Sequence, residues 1–170
     1  MSTAAHISED HYLQSTFEPD AEYVDGEIRT RPMGTYSHAD WQQAIFLWFR
    51  QHAGEWNIRT VPEQRVNTIP GHYRVPDVVV LDRANPKEEI VTVAPLAVFE
   101  VLSPGDTVQE LYEKLDEYTA MGIPHIWVVD PKTGVFKRYM DACLKPASQF
   151  AFSVRGIDFA VQEIAALLQN

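Results

Sequence analysis

Two apolar runs, each interrupted by a single carboxylate, constrain this chain more than any other feature. Residues 73–81 and 94–102 are nearly continuous in apolar side chains, the pattern of strands covered on both faces, and they predict two central strands of a sheet. Asp77 stands beside Val78, Val79, Val80 and Leu81, and Glu100 lies within Leu96-Ala97-Val98-Phe99-Glu100-Val101-Leu102. An ionised carboxylate in such surroundings must be paired, hydrogen-bonded or bound to a cation, because bare burial costs several kcal/mol or forces protonation. Two of them on neighbouring strands point to a cation. The plainer reading of either acid alone is an edge position, or a partner for an arginine such as Arg74 or Arg65.

If the two carboxylates share a face, they supply hard oxygen ligands suited to Mg²⁺, which keeps several waters and takes one or two protein carboxylates. A phosphate oxygen would complete the shell. The ion would then polarise a phosphodiester and activate a water for in-line attack, which makes DNA hydrolysis the expected chemistry, with Mn²⁺ as a substitute ion.

The flanking elements predict a mixed α/β sheet flanked by helices. Residues 1–19 form a polar N-terminal segment in which Ser8 caps a short helix, and residues 20–170 read as a single domain with no repeat or Gly/Ser linker. Residues 22–30 carry an Asp25-Gly26 hairpin signal. A helix is predicted over 36–53, with Ser37 and Asp40 as a capping box and Trp41, Ala44, Ile45, Trp48 and Phe49 on one face. Residues 57–66 read as one strand with Pro62 at an edge or bulge. A second helix spans 106–121, with Asp106 or Thr107 as N-cap and Val108, Leu111, Leu115, Tyr118 and Met121 as the buried stripe, stopped by Gly122. A strand at 126–130, a hairpin partner at 135–140, a strand near 150–154 and a short helix near 161–168 complete the chain.

The formal net charge of -10, with 24 acidic residues against 14 basic ones, argues against a broad cationic surface that would hold nucleic acid without specificity. A bound cation reverses the field locally, and a small basic groove can survive on an acidic protein. The single cysteine, Cys143, excludes an intrachain disulfide framework and fits a reducing compartment. The first residues lack a basic n-region and an apolar h-region, and no stretch approaches the roughly 18 apolar residues of a membrane span. A cytoplasmic protein with no membrane partner is expected.

Other side chains carry weaker signals. Glu27, after the Asp-Gly turn, and Glu63, in Val61-Pro62-Glu63-Gln64-Arg65, could add a carboxylate to the metal shell, although a solvated strand acid is the commoner outcome. His38 could meet a phosphate at a helix N-terminus, or be a surface residue. The tryptophans read as core rather than as stacking platforms, and Ser103 has no announced base.

Four motifs in order carry a resemblance: Val75-Pro76-Asp77-Val78-Val79-Val80, Phe99-Glu100-Val101-Leu102-Ser103-Pro104, Glu113-Lys114-Leu115-Asp116-Glu117-Tyr118, and the run from Met121 through Trp127 to Asp130-Pro131. Over about residues 23–138 the chain resembles the Uma2 family of bacterial restriction endonucleases in the PD-(D/E)XK nuclease superfamily. The resemblance implies a restriction-endonuclease-like core, DNA as substrate, and Asp77 and Glu100 as metal ligands joined by the backbone carbonyl of Val101. The chain departs from the superfamily where a lysine would follow Glu100 by two residues, since Leu102 stands there. By resemblance the role passes to Lys114, which would orient the attacking water or stabilise charge on the phosphate. The ordinary alternative is an exposed helix lysine pairing with Glu110 or Glu117.

Two other functions stay open on sequence alone: an inactive binding module on the same fold, favoured by Leu102 and the acidic charge, and a metal-dependent enzyme for another phosphate ester. Nucleases of this fold often pair so that two sites cut two strands, and a homodimer is compatible with the exposed hairpins.

Overall fold

The computed structural model describes residues 6–18 and 20–168; residues 1–5 and 19 of the expected N-terminal segment, and residues 169–170, lie outside the described residues. A six-residue helix α1 (Glu9–Gln14) opens the described chain, with the Ser8 side chain accepting from the His11 backbone N–H as expected. The hairpin follows as β1 (Ala21–Val24) and β2 (Glu27–Thr30) around Asp25-Gly26, both at positive φ. Tyr12 of α1 is fully buried, stacks on Tyr23 and donates to the Ala21 carbonyl at 2.8 Å.

Helix α2 (Tyr36–Gln51) is capped by Thr35, whose hydroxyl accepts from the His38 N–H, and it ends at His52. The expected Ser37 cap lies one turn position inside the helix, because the extended backbone that an N-cap needs falls on Thr35. The single strand expected over 57–66 is instead β3 (Ile58–Pro62), a break at Glu63 with φ 49°, and β4 (Val66–Ile69) in a different sheet. The run 73–81 also divides, into β5 (His72–Arg74) and β6 (Val78–Asp82). Pro76 is the cause: it has no N–H to give a ladder and restricts Val75 before it. Asp77 therefore sits just before β6 rather than within a strand.

Next come β7 (Ala97–Val101), α3 (Val108–Met121, capped by Thr107 and stopped by Gly122 at φ 91°), β8 (His125–Asp130) and β9 (Val135–Met140). Two strands without a sequence signal, β10 (Cys143–Pro146) and β12 (Ile157–Ala160), accompany β11 (Gln149–Phe152). The expected last helix is 3-10 over Val161–Leu167.

Six strands form the main sheet in the order β10-β9-β8-β7-β6-β3, with β7 and β8 parallel and their other neighbours antiparallel. A four-stranded sheet, β2-β1-β5-β4, stands beside it. The fold is a mixed α/β architecture with its sheets flanked by helices, as expected.

Alternation along the central strands sends Val78, Val80, Ala97, Phe99 and Val101 to one core with Ala44, Ile45 and Phe49 of α2. Val79, Val98, Ile126 and Val128 go to the other core with Leu115 and Tyr118 of α3. Fully buried rings such as Phe49 and Phe99 each contribute about 1.5–3 kcal/mol. Val108, expected in the buried stripe of α3, is 75 % exposed at the first position of the helix. Among the described residues no helix is long and apolar enough to cross a membrane.

Candidate functional site

Val78 pairs with Phe99 across the antiparallel β6–β7 ladder, so Asp77 and Glu100 are the next positions along the same register, where β6 begins. Both are buried, at 2 % and 6 % exposure. They line one cleft of about 380 Å³ together with Val101, Lys114, Arg31, His38, Gln42 and Glu63. Its floor is the end of the central strand pair, and its walls are the β2–α2 segment, the first turns of α2 and the side of α3.

Five groups hold Asp77. Its Oδ2 accepts from the Val101 N–H at 2.7 Å and lies 3.3 Å from His38 Nε2, while the Arg31 guanidinium bonds Oδ1. Its backbone carbonyl accepts from Gln42 Nε2 at 3.0 Å and from the Glu63 N–H at 3.2 Å. Burial alone would raise the Asp77 pKa, but the His38 hydrogen bond, the Arg31 charge and the Val101 N–H hold it below the usual carboxylate range. Asp77 is therefore an anion at neutral pH.

Glu100 behaves differently. By alternation with Val98 its side chain reaches the α3 side, where Oε1 accepts from the Tyr118 hydroxyl at 2.5 Å and Oε2 lies 3.5 Å from Lys114 Nζ. Burial pushes its pKa up to about 7, with Lys114 opposing and the Asp77 and Glu22 charges reinforcing the rise. Two adjacent carboxylates thus differ in their hold on a proton, and a cation placed between them would favour the ionised form of both.

Lys114 pairs with neither Glu110 nor Glu117. Its ammonium reaches Glu22 at 3.0 Å and Glu100 at 3.5 Å. Burial would lower its pKa, but the two carboxylates more than offset this, so the amine stays charged at neutral pH.

Sequence reasoning missed the support behind this lysine. Glu22, 4 % exposed, accepts from the Val75 N–H at 3.0 Å and from Arg74 Nη1 at 3.0 Å. Arg74, 1 % exposed, donates onward through Nε to Glu117 Oε2 at 2.8 Å and through Nη2 to Oε1 at 2.5 Å. Glu117 also accepts from Thr68 at 2.8 Å and pairs with His72 at 2.9 Å. Arg74 thus partners neither Asp77 nor Glu100, and Arg65 lies 3.6 Å from Asp20. The available signal was an arginine inside an apolar run, which demands buried carboxylates.

Among the weaker candidates, His38 is in the site and 7 % exposed; it faces Asp77, and its pKa is raised, with burial opposing and Asp77 prevailing. Glu63 stands at the rim, paired with Arg31 at 3.2 Å. Glu27 is exposed at the start of β2, away from the lining of the cleft. Cys143 is a free, exposed thiol.

Among the described residues no three His, Cys, Asp or Glu side chains converge as a metal shell. The donor set to test is therefore two carboxylates with one carbonyl. It fits a hard divalent ion that keeps its waters: Asp77 and Glu100 are adjacent oxygen donors opening on a cleft, and Asp77 already holds a cationic group in Arg31.

The chain shares its fold with the crystal structure of a putative nuclease belonging to DUF820 from Anabaena variabilis ATCC 29413. The TM-score is 0.81 at 22% sequence identity, over 96% of this chain and 99% of that one. No curated protein matches. A family model, Uma2, described as "Putative restriction endonuclease", matches residues 9–149, a span that holds Glu22, Arg31, Asp77, Glu100 and Lys114. The chain belongs to the Uma2 family.

Proposed function

We propose that this protein is a divalent-metal-dependent endonuclease that hydrolyses phosphodiester bonds of DNA. Asp77, Glu100 and the Val101 carbonyl would hold Mg²⁺ or Mn²⁺, with Lys114 as the catalytic cation. The observation that carries the reading is the meeting of two buried carboxylates at adjacent strand ends, in an open cleft, with a charged ammonium 3.5 Å from one of them. A bound ion supplies Lewis acidity and a water of lowered pKa. Lys114 stabilises the charge that grows on the phosphate oxygens. Tyr118 and the Val101 N–H fix the two carboxylates in place. In the net reaction a water oxygen bonds to phosphorus, one bond from phosphorus to a sugar oxygen breaks, and that oxygen leaves with a proton.

Leu102 favours the rival reading, a binding module that cleaves nothing. Against it, the ammonium missing at that position is supplied from α3 by Lys114.

Calorimetric titration with Mg²⁺ and Mn²⁺, read beside nicking of supercoiled plasmid, tests the proposal on the wild type and on Asp77→Asn with Glu100→Gln. Saturable binding and nicking, both lost in the double variant, are expected. A wild type that binds neither ion at several millimolar would leave the binding module as the better reading.

A further inference from the structure

Arg31 is a second cation of the cleft that the sequence did not announce, and its placement sets it apart from Lys114. It stands immediately after β2, in the irregular stretch 31–35 before α2, so no ladder holds its backbone. Its side chain enters from the open side: it is 16 % exposed, against 3 % for the Asp77 side chain it meets. One guanidinium nitrogen, Nη2, bonds Asp77 Oδ1, and the other, Nη1, bonds Glu63 Oε1 at 3.2 Å. Arg31 also lines a second cleft together with Arg29, Arg74 and Lys114. Arg31 is thus shared by the linings of two clefts.

Asp77 Oδ2 already accepts from the Val101 N–H and faces His38, so Oδ1 is the oxygen left for a metal ion. An ion bound there repels the guanidinium on the same oxygen and competes with it for that carboxylate charge. The pair to Glu63, whose side chain is 51 % exposed, keeps it at the rim, and both grooves remain within its reach. A planar fork of donors that is always charged suits a phosphate diester better than any other side chain. Lys114 stands on the Glu100 side of the cleft and Arg31 on the Asp77 side, so a displaced guanidinium would add positive charge on the side that Lys114 does not cover.

We propose that Arg31 is a displaceable latch. In the metal-free protein it neutralises Asp77; when a divalent ion takes that carboxylate, the guanidinium turns to a non-bridging oxygen of the substrate phosphodiester and becomes a catalytic residue. The inference rests on the metal-dependent reading above. It separates from a merely structural ion pair because it makes two effects run in opposite directions. Removing the arginine removes a competing positive charge from a metal ligand, so ion affinity rises, while the step that uses the phosphate contact slows.

The test is calorimetric titration with Mn²⁺ of the full chain as wild type, Arg31→Ala and Arg31→Lys, together with single-turnover plasmid nicking at saturating Mn²⁺. Arg31→Ala is expected to bind the ion about tenfold more tightly and to nick about 10²- to 10³-fold more slowly. Arg31→Lys keeps a charge opposite Asp77 and guards against a folding failure; it is expected to bind the ion like the wild type and to nick at an intermediate rate. Unchanged or weaker ion binding in Arg31→Ala would overturn the latch, and unchanged nicking at saturation would overturn the phosphate contact. A wild type that neither binds Mn²⁺ nor nicks would overturn the metal-dependent reading itself, and the latch with it.

Discussion

The Lys114 ammonium lies 3.0 Å from Glu22, closer than the 3.5 Å that separates it from Glu100. The lysine that faces the candidate metal ligands is therefore held from behind by a carboxylate on a different sheet. Glu22 in turn answers to Arg74, so the charge at the site is set by a buried network reaching from α3 through β1 and β5 to Glu117.

Truncating Glu22 exposes the consequence. Glu22→Ala leaves Arg74 and Lys114 each short of a buried partner, and breaking such an arrangement costs about 3–5 kcal/mol. Glu22→Gln keeps an oxygen for the Val75 N–H and is expected to cost less. Urea unfolding of the two variants beside the wild type measures the difference; equal midpoints for Glu22→Ala and Glu22→Gln would show that the oxygen on the Val75 N–H contributes nothing and that the lost charge carries the whole cost.

Lys114 itself is expected to matter for the reaction rather than for holding the ion. Lys114→Met should lower plasmid nicking by about 10²- to 10³-fold while Mn²⁺ still binds, because an ammonium beside Glu100 competes with a cation. Parallel loss of binding and nicking would instead make the lysine a support for the ligands.

Much of this arrangement was legible in the sequence, and the misses at the site have one physical origin. The apolar runs revealed β6 and β7, and the carboxylates within them revealed Asp77 and Glu100, because burial of a charge is a local signal in a strand. The division of 73–81 was less visible: Pro76 ends one ladder, and which sheet receives each half depends on tertiary pairing. Glu22, Arg31 and Glu117 were missed for the same reason, each looking like an ordinary surface residue until the hairpin sheet packs against α3. Arg74 stood out inside an apolar run but pairs with Glu22 and Glu117 rather than with Asp77 or Glu100. β10 escaped because it is largely exposed at the edge of the main sheet, and β12 because its alternation of buried Ile157 and Phe159 spans only four residues.

Arg74 is the residue on which the two carboxylate clusters converge. Arg74→Met removes the cation between Glu22 and Glu117 and is expected to cost about 3–5 kcal/mol, the usual loss when one member of a buried ion network is deleted. Arg74→Lys should recover only part of this, because a point charge cannot reproduce the two parallel bonds from Nε and Nη2 to Glu117. Thermal unfolding of both variants checks it; full recovery by lysine would mean that charge alone, without the fork, holds the two clusters.

The raised pKa of Glu100 makes a last prediction about the metal-free protein. Its folded value is about 7, against an ordinary 4.5, so the folded state holds this proton more tightly than the unfolded chain does. The stabilisation is fully present below about pH 4.5 and is lost as pH rises towards and through about 7. Asp77 runs the other way: its lowered folded pKa gives stability that is lost only as pH falls through that value, below the ordinary carboxylate range. The two windows do not overlap. His38, with a raised pKa, and His125, which burial lowers to about 4, also titrate in this region, so the comparison must be with a variant that retains both. Glu100→Gln is that variant. In chelator-treated samples, urea midpoints at pH 5 and pH 8 should show the wild type losing stability relative to Glu100→Gln at the higher pH. A difference that stays constant between the two pH values would mean that Glu100 is ionised throughout, and that Lys114 and Tyr118 offset its burial completely.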